Sequence, residues 1–205
     1  MLLVFGVRQL YALVATGRFH CPVCGVDRGY RLRHPRSWFH LFWIPLVPMR
    51  QGEPFVECDV CRSRFEPGVL GVPTSERLGE LLSRGVRTAA AYLITSAEAS
   101  GETLARAVTV LQRSLGPTYT REVLEADLAA HRHGTDFAVL GQLAASLDVL
   151  GKEQLLRGLA DLELTLANGR EPDWGRLGDV AAALGVTPAH LRGIVSEAAS
   201  RSREG

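Results

Sequence analysis

The sequence predicts an α+β chain, with a small antiparallel sheet at the N-terminus followed by an all-α bundle of six or seven helices. Two observations carry this prediction. Apolar residues alternate over short stretches of the first 66 residues and then, from residue 78 onwards, recur with a helical period of about 3.6. All four cysteines lie in the first 61 residues, as CPVCG (Cys21, Cys24) and ECDVC (Cys58, Cys61). Charge divides the chain at the same place. Residues 1–72 hold nine Arg against five Asp/Glu, net +4, whereas residues 73–205 carry a net charge of −3.

The first half reads as short strands around two metal knuckles. LLVFGV, TGRFHC, GYRLRH, WFHLFWIPLVP and EPFVEC alternate or are rich in β-formers, and the two CxxC pairs fall at their ends. A tetrahedral Zn²⁺ ion takes four soft ligands at about 2.3 Å, and a CxxC turn delivers two thiolates to one side of the metal. Pro22 stiffens the first turn and Gly25 supplies a residue able to take positive φ after it; the second turn has Arg62 at that position. The expected cofactor is one structural zinc on Cys21, Cys24, Cys58 and Cys61, because four protein thiolates leave no position for water or substrate. The opening MLLVFGVRQLYALVATG has no basic residue ahead of its apolar run, so export is not expected, the location is read as cytoplasmic, and disulfides are disfavoured.

WFHLFWIPLVP, residues 38–48, is uncharged and aromatic-rich. It is about half the length of a spanning helix, and Pro45 and Pro48 would break one, so a transmembrane segment is not expected while peripheral membrane contact stays open. A ribbon of this size has little core, and bulky residues here would fill it. Strand neighbours alternate, so about half of Trp38, Phe39, Leu41, Phe42, Trp43 and Ile44 look outward, onto the helices or a partner.

In order, LLVFGVR, GRFHCPVCG, the Arg-containing strand, SWFHLFWIPLVPM and FVECDVC resemble a bacterial zinc-ribbon family over residues 1–66. The resemblance implies zinc binding and no activity. The organisation expected from the whole sequence is a ribbon over 1–68, a linker over 69–74, a helical bundle over 75–200 and a polar tail over 201–205.

The bundle rests on six apolar stripes. They run through Leu78–Ala97, Leu104–Leu115, Phe137–Leu147, Leu155–Leu166, Trp174–Leu184 and Leu191–Ala198. Breakers separate them (Gly101, LGPTYT, HGTD, LDVLGK, NGREPD, LGVTP), and Thr187 with Pro188 makes a capped helix start. EASGETLARAVTVLQRSLG and LANGREPDWGRLGDVAAALGV make this half similar to TerB-like helical domains of tellurite-resistance and related stress systems. In that resemblance each copy has an Asp-Gly turn. Here Ser100 precedes Gly101 and Asn168 precedes Gly169, which implies a weakened metal site at those turns or none.

Two other clusters bear on function. HRHG (His131, His133) with Asp136 could ligate a metal, yet neighbours two apart on a helix diverge, and histidines at a helix C-terminus are favoured by the dipole alone. Arg28, Arg31, Arg33 and Arg36, interleaved with Tyr30 and Trp38, form the pattern that nucleic-acid contacts require, and equally a solvated strand that offsets the −2 charge of a zinc tetrathiolate. P-loop, Rossmann, GxSxG and HExxH motifs are absent from the sequence. The expected protein is therefore a non-enzymatic zinc-binding adaptor, in a stress or tellurite-resistance-type system, with an unidentified protein partner. The alternative is a nucleic-acid-binding protein using the Arg-rich ribbon.

Overall fold

The computed structural model describes residues 5–41, 44–97, 99–132 and 134–204, with the side chains of 5–8, 39–41, 44–49 and 202–204 outside the description. The chain forms two compact units, Met1–Arg77 and Leu78–Gly205.

The first unit is an antiparallel sheet of five strands: β1 (Phe5–Cys21), β2 (Val26–Leu41), β3 (Ile44–Gln51), β4 (Phe55–Cys58) and β5 (Arg64–Phe65). Short strands are the expectation here, but β1 and β2 are continuous and make one long hairpin, paired from Phe5↔Leu41 to Cys21↔Val26 with a bulge at Leu13/Ala15. At ~3.3 Å per residue it extends about 50 Å. The near end of β2 pairs with β4 through Tyr30–Arg33, and its far end pairs with β3 through Arg36–Leu41. Pro35 lies between these two pairings, which explains how the strand survives it. Its carbonyl accepts from the Gly52 N–H at 2.9 Å, so the donor it lacks would point to the same side, away from β1. A Cβ on Gly52 would lie 2.8 Å from the Pro35 ring, so the crossing requires glycine.

Among the described residues, the buried cluster of the sheet is small. Phe19, Cys21, Val56 and Cys58 are buried, and Tyr30, Leu32 and Phe65 are packed against them. Tyr30 lies over Gly17, where a Cβ would meet the ring at 3.0 Å. Part of the expected 69–74 linker is folded onto this core. A 3₁₀ turn, Pro67–Gly71, presses Val69 and Leu70 against it, adding apolar area that the ribbon lacks.

Seven helices follow: α1 (Ser75–Thr95), α2 (Gly101–Leu115), α3 (Arg121–Ala130), α4 (Ala138–Ser146), α5 (Val149–Ala167), α6 (Trp174–Ala183) and α7 (Pro188–Glu204). Thr187 caps α7 by accepting the His190 N–H at 3.4 Å, Ser100 caps α2 and Asp148 caps α5. The centre of the unit is α5, packed against α2, α6 and α7. The helix without an expected stripe is α3. Its inward positions are Leu124 and Asp127, and a carboxylate in the interior breaks the apolar period. Asp127 takes two bonds from Arg87, on Nε at 2.8 Å and on Nη2, and one from the Tyr119 hydroxyl at 2.9 Å. Among the described residues, no helix is long and apolar enough to cross a membrane.

Candidate metal centre

Each CxxC closes the same turn. The Gly25 N–H donates to the Cys21 carbonyl at 2.8 Å, and the Arg62 N–H donates to the Cys58 carbonyl at 3.1 Å. Both turns end in the left-handed region, at φ 68 for Gly25 and φ 61 for Arg62, so the arginine adopts a conformation that glycine takes without cost. The Asp59 N–H bonds the Gly29 carbonyl at 3.0 Å, tying the second knuckle to β2. Gly29 must stay small, since a Cβ there would lie 2.7 Å from the Asp59 carboxylate.

These turns bring the four thiols within 4.8 Å of one another. The Cys21 and Cys61 sulfurs are 3.7 Å apart. A tetrahedron with 2.3 Å Zn–S bonds requires about 3.8 Å. Donor type and spacing thus fit a structural Zn²⁺ held by Cys21, Cys24, Cys58 and Cys61. Without metal the thiols are unequal. Bonds from the Ser63 hydroxyl and amide pull Cys61 down to about 6, while burial and the neighbouring cysteines push Cys24 up to about 11. Zinc loading therefore displaces protons.

Among the described residues, this is the one group of three or more His, Cys, Asp or Glu that converges as a metal site would. His20 faces Asp27 at 3.2 Å, and the other Asp27 oxygen accepts the Ser75 N–H at 2.7 Å. Burial opposes ionisation of Asp27, but the Ser75 amide and His20 outweigh it and lower its pKa. His131 is occupied locally, its Nδ1 lying 2.7 Å from the Asp127 carbonyl oxygen, and His133 lies outside the described residues. Guanidinium groups meet the second glycine turn and the residues near it. Asn168, at φ 48, accepts from Arg106 at 2.6 Å, and the buried Glu163 is held by Arg176 at 2.7 Å and by the Asp173 N–H at 3.1 Å.

The four sequence-selected arginines separate. Arg31 and Arg33 share one face of the sheet, facing Asp59 (3.0 Å) and Glu57 (3.4 Å), whereas Arg28 and Arg36 occupy positions on the other face. Cross-strand pairing adds residues that local sequence does not flag. Arg18, Arg64, Tyr11 and Phe55 join Arg31 and Arg33, with Arg64 lying 4.6 Å above the Phe55 ring and 5.5 Å from that of Tyr11. Arg62 approaches Glu57 at 3.7 Å, so several guanidinium groups crowd one carboxylate.

Residues 19–75 match a zinc-ribbon family. The match takes in both knuckles, β2 to β5 and the 3₁₀ turn, and leaves out most of β1 and all of the helical unit. No curated protein and no solved structure matches the chain.

Proposed function

We propose that the protein is a non-enzymatic adaptor, in which a ribbon held by structural zinc is joined to a helical unit that engages a protein partner. The closed Cys₄ set carries this reading, because it leaves the metal no open position for chemistry. The helical unit contributes a groove of about 470 Å³, with Gly79, Leu82, Ser83, Val86, Gly151 and Leu155 among its lining. We place the adaptor in a stress or tellurite-resistance-type system, and in the cytoplasm, on the sequence resemblance to TerB-like domains alone. The test is affinity capture with the full chain, followed by a turnover screen. It is expected to return a stoichiometric partner that Ser83→Trp loses, with no turnover. Recovery of no partner together with turnover of a substrate overturns the reading. Unchanged tellurite tolerance on deletion removes the stress assignment alone.

A second reading, nucleic-acid binding, is favoured by the crowding of Arg18, Arg31, Arg33, Arg62 and Arg64 beside Tyr11 and Phe55. It requires affinity that falls steeply with salt and weakens in Arg31→Ala/Arg33→Ala. Absence of binding to single or double strands at low salt removes it.

A further inference from the structure

One edge of the long hairpin is open. Among the described residues β1 pairs with β2 and with no other strand. Edge strands are ordinarily blunted by charge, proline or a bulge, because their unpaired N–H and C=O groups template a further strand. Residues 9–13, QLYAL, have no such protection, since Arg8 and Arg18 lie to either side and the bulge comes only after Leu13. They are exposed on both faces of the sheet, Leu10 by 47% and Leu13 by 61%. Pro35 fixes which of their backbone groups point outward. It pairs with Tyr11, and its carbonyl is turned away from β1 to accept the Gly52 N–H at 2.9 Å. Tyr11 and Pro35 are therefore a non-hydrogen-bonded pair, and the Tyr11 N–H and C=O point away from β2. Alternation along the strand gives Gln9 and Leu13 the same outward direction.

We infer that two copies of the chain pair through this edge, β1 running antiparallel to β1 of the second copy about a two-fold axis at Tyr11. Two conditions set the register. Paired residues share a face, and a hydrogen-bonded pair needs outward groups on both strands. With Tyr11 opposite Tyr11 of the second copy, Gln9 falls opposite Leu13, so every outward group over 9–13 meets an outward group. Leu10 falls opposite Ala12 between them. Moving the axis to Ala12 sets Gln9 opposite Ala15, beyond the bulge, where the regular ladder is broken. No charged residue lies in the paired segment. The two tyrosines, each edge-on to its own Phe55 at 5.7 Å, form an aromatic pair across the axis. A foreign strand must supply this pattern independently, whereas a second copy has it by symmetry. The axis stands perpendicular to the sheet, so the two faces that carry Arg31, Arg33 and Arg64 lie on one side of a continuous sheet. This proposal does not rest on the adaptor reading, and it doubles the arginine surface on which the nucleic-acid reading depends.

The test is sedimentation equilibrium of the zinc-loaded full chain over a concentration series, in which a reversible dimer is expected. Tyr11→Lys and Tyr11→Glu each set like charges opposite one another across the axis. Each alone is expected to weaken dimerisation at least tenfold with zinc content unchanged. An equimolar mixture of the two is expected to dimerise again, because the lysine of one copy then faces the glutamate of the other. Leu13→Pro removes an outward N–H that β2 does not use, and is expected to abolish the dimer while zinc is retained. A chain that stays monomeric throughout overturns the proposal. So does a dimer that these variants leave unchanged, or one that both Tyr11 variants lose and their mixture does not restore. Should the Tyr11 variants lose zinc, Leu13→Pro decides alone, and persistence of its dimer overturns the proposal.

Discussion

The two units solve the problem of an interior in opposite ways. Among the described residues, the ribbon buries Phe19, Cys21, Val56 and Cys58, so half of that buried set is metal-ligand sulfur. The helical unit draws its core from all seven helices, with Leu93, Leu111, Leu124, Leu140, Leu159, Leu177 and Leu191 among its members. The ribbon is thus stabilised mainly by a bound ion, and the bundle by apolar area removed from water. Removing the ion breaks the comparison most forcefully, because a structural zinc contributes about 10–16 kcal/mol of apparent binding energy. A strong chelator, or Cys21→Ser, is expected to abolish amide-exchange protection in β1, β2 and β4 while leaving the helical far-UV signal in place. Metal analysis should give one zinc per chain before treatment. Loss of helical signal on chelation would show that the units do not fold separately.

The converse experiment removes apolar volume from the bundle. Leu159 is 2% exposed on α5, the helix that packs against α2, α6 and α7. Leu159→Ala is expected to cost about 2–5 kcal/mol. It should lower the bundle's melting temperature and leave zinc content and ribbon exchange unchanged.

Acid should separate the units further. Zinc thiolates must stay deprotonated, so the ribbon loses stability as pH falls. The bundle contains a group of the other sign. Glu163 is fully buried, and its Oε2 has no hydrogen-bond partner among the described residues. Burial raises its carboxyl above the ordinary value of 4.5 despite Arg176 and the Asp173 amide. A raised carboxyl contributes stability that is fully present below pH 4.5 and lost as pH rises through the folded value. Glu163→Gln should flatten the pH dependence of bundle melting over that window. An unchanged slope would contradict it.

The same difference decides how much of each unit can be read from sequence. Bundle helices advertise themselves through period, and the zinc centre through CxxC spacing, because both signals are local. α3 does not, since Asp127 occupies an inward position and its partners Arg87 and Tyr119 lie elsewhere in the chain. Strand length is hidden as well. Pro35 and Gly52 look like breakers until pairing shows that the missing donor points into a gap between two partners. The arginine row is legible as composition and misleading as a surface. Arg28 and Arg36 face away from Arg31 and Arg33, while Arg18 and Arg64, distant in sequence, complete the charged face. Face membership depends on register, which is a non-local quantity.

The smallest effect tests the ribbon against itself. Its two knuckles share a backbone path, with Gly25 at the left-handed position of one and Arg62 at that of the other. A Cβ at Gly25 would meet nothing within 4 Å, so Gly25→Ala adds no clash, and its expected cost of about 1–2 kcal/mol is that of the left-handed backbone. Arg62→Gly removes the same strain. It gives back roughly 0.5–1 kcal/mol through the freer unfolded chain. It also loses an exposed ion pair with Glu57 at 3.7 Å that is worth little. The net expectation is a gain of up to about 1 kcal/mol. Chelator competition on the two variants should then move in opposite directions, Gly25→Ala releasing zinc more readily than the parent and Arg62→Gly less readily. If Arg62→Gly also weakens zinc retention, the arginine stabilises the site through its charge beside the thiolates, and the two knuckles differ in electrostatics as well as in backbone strain.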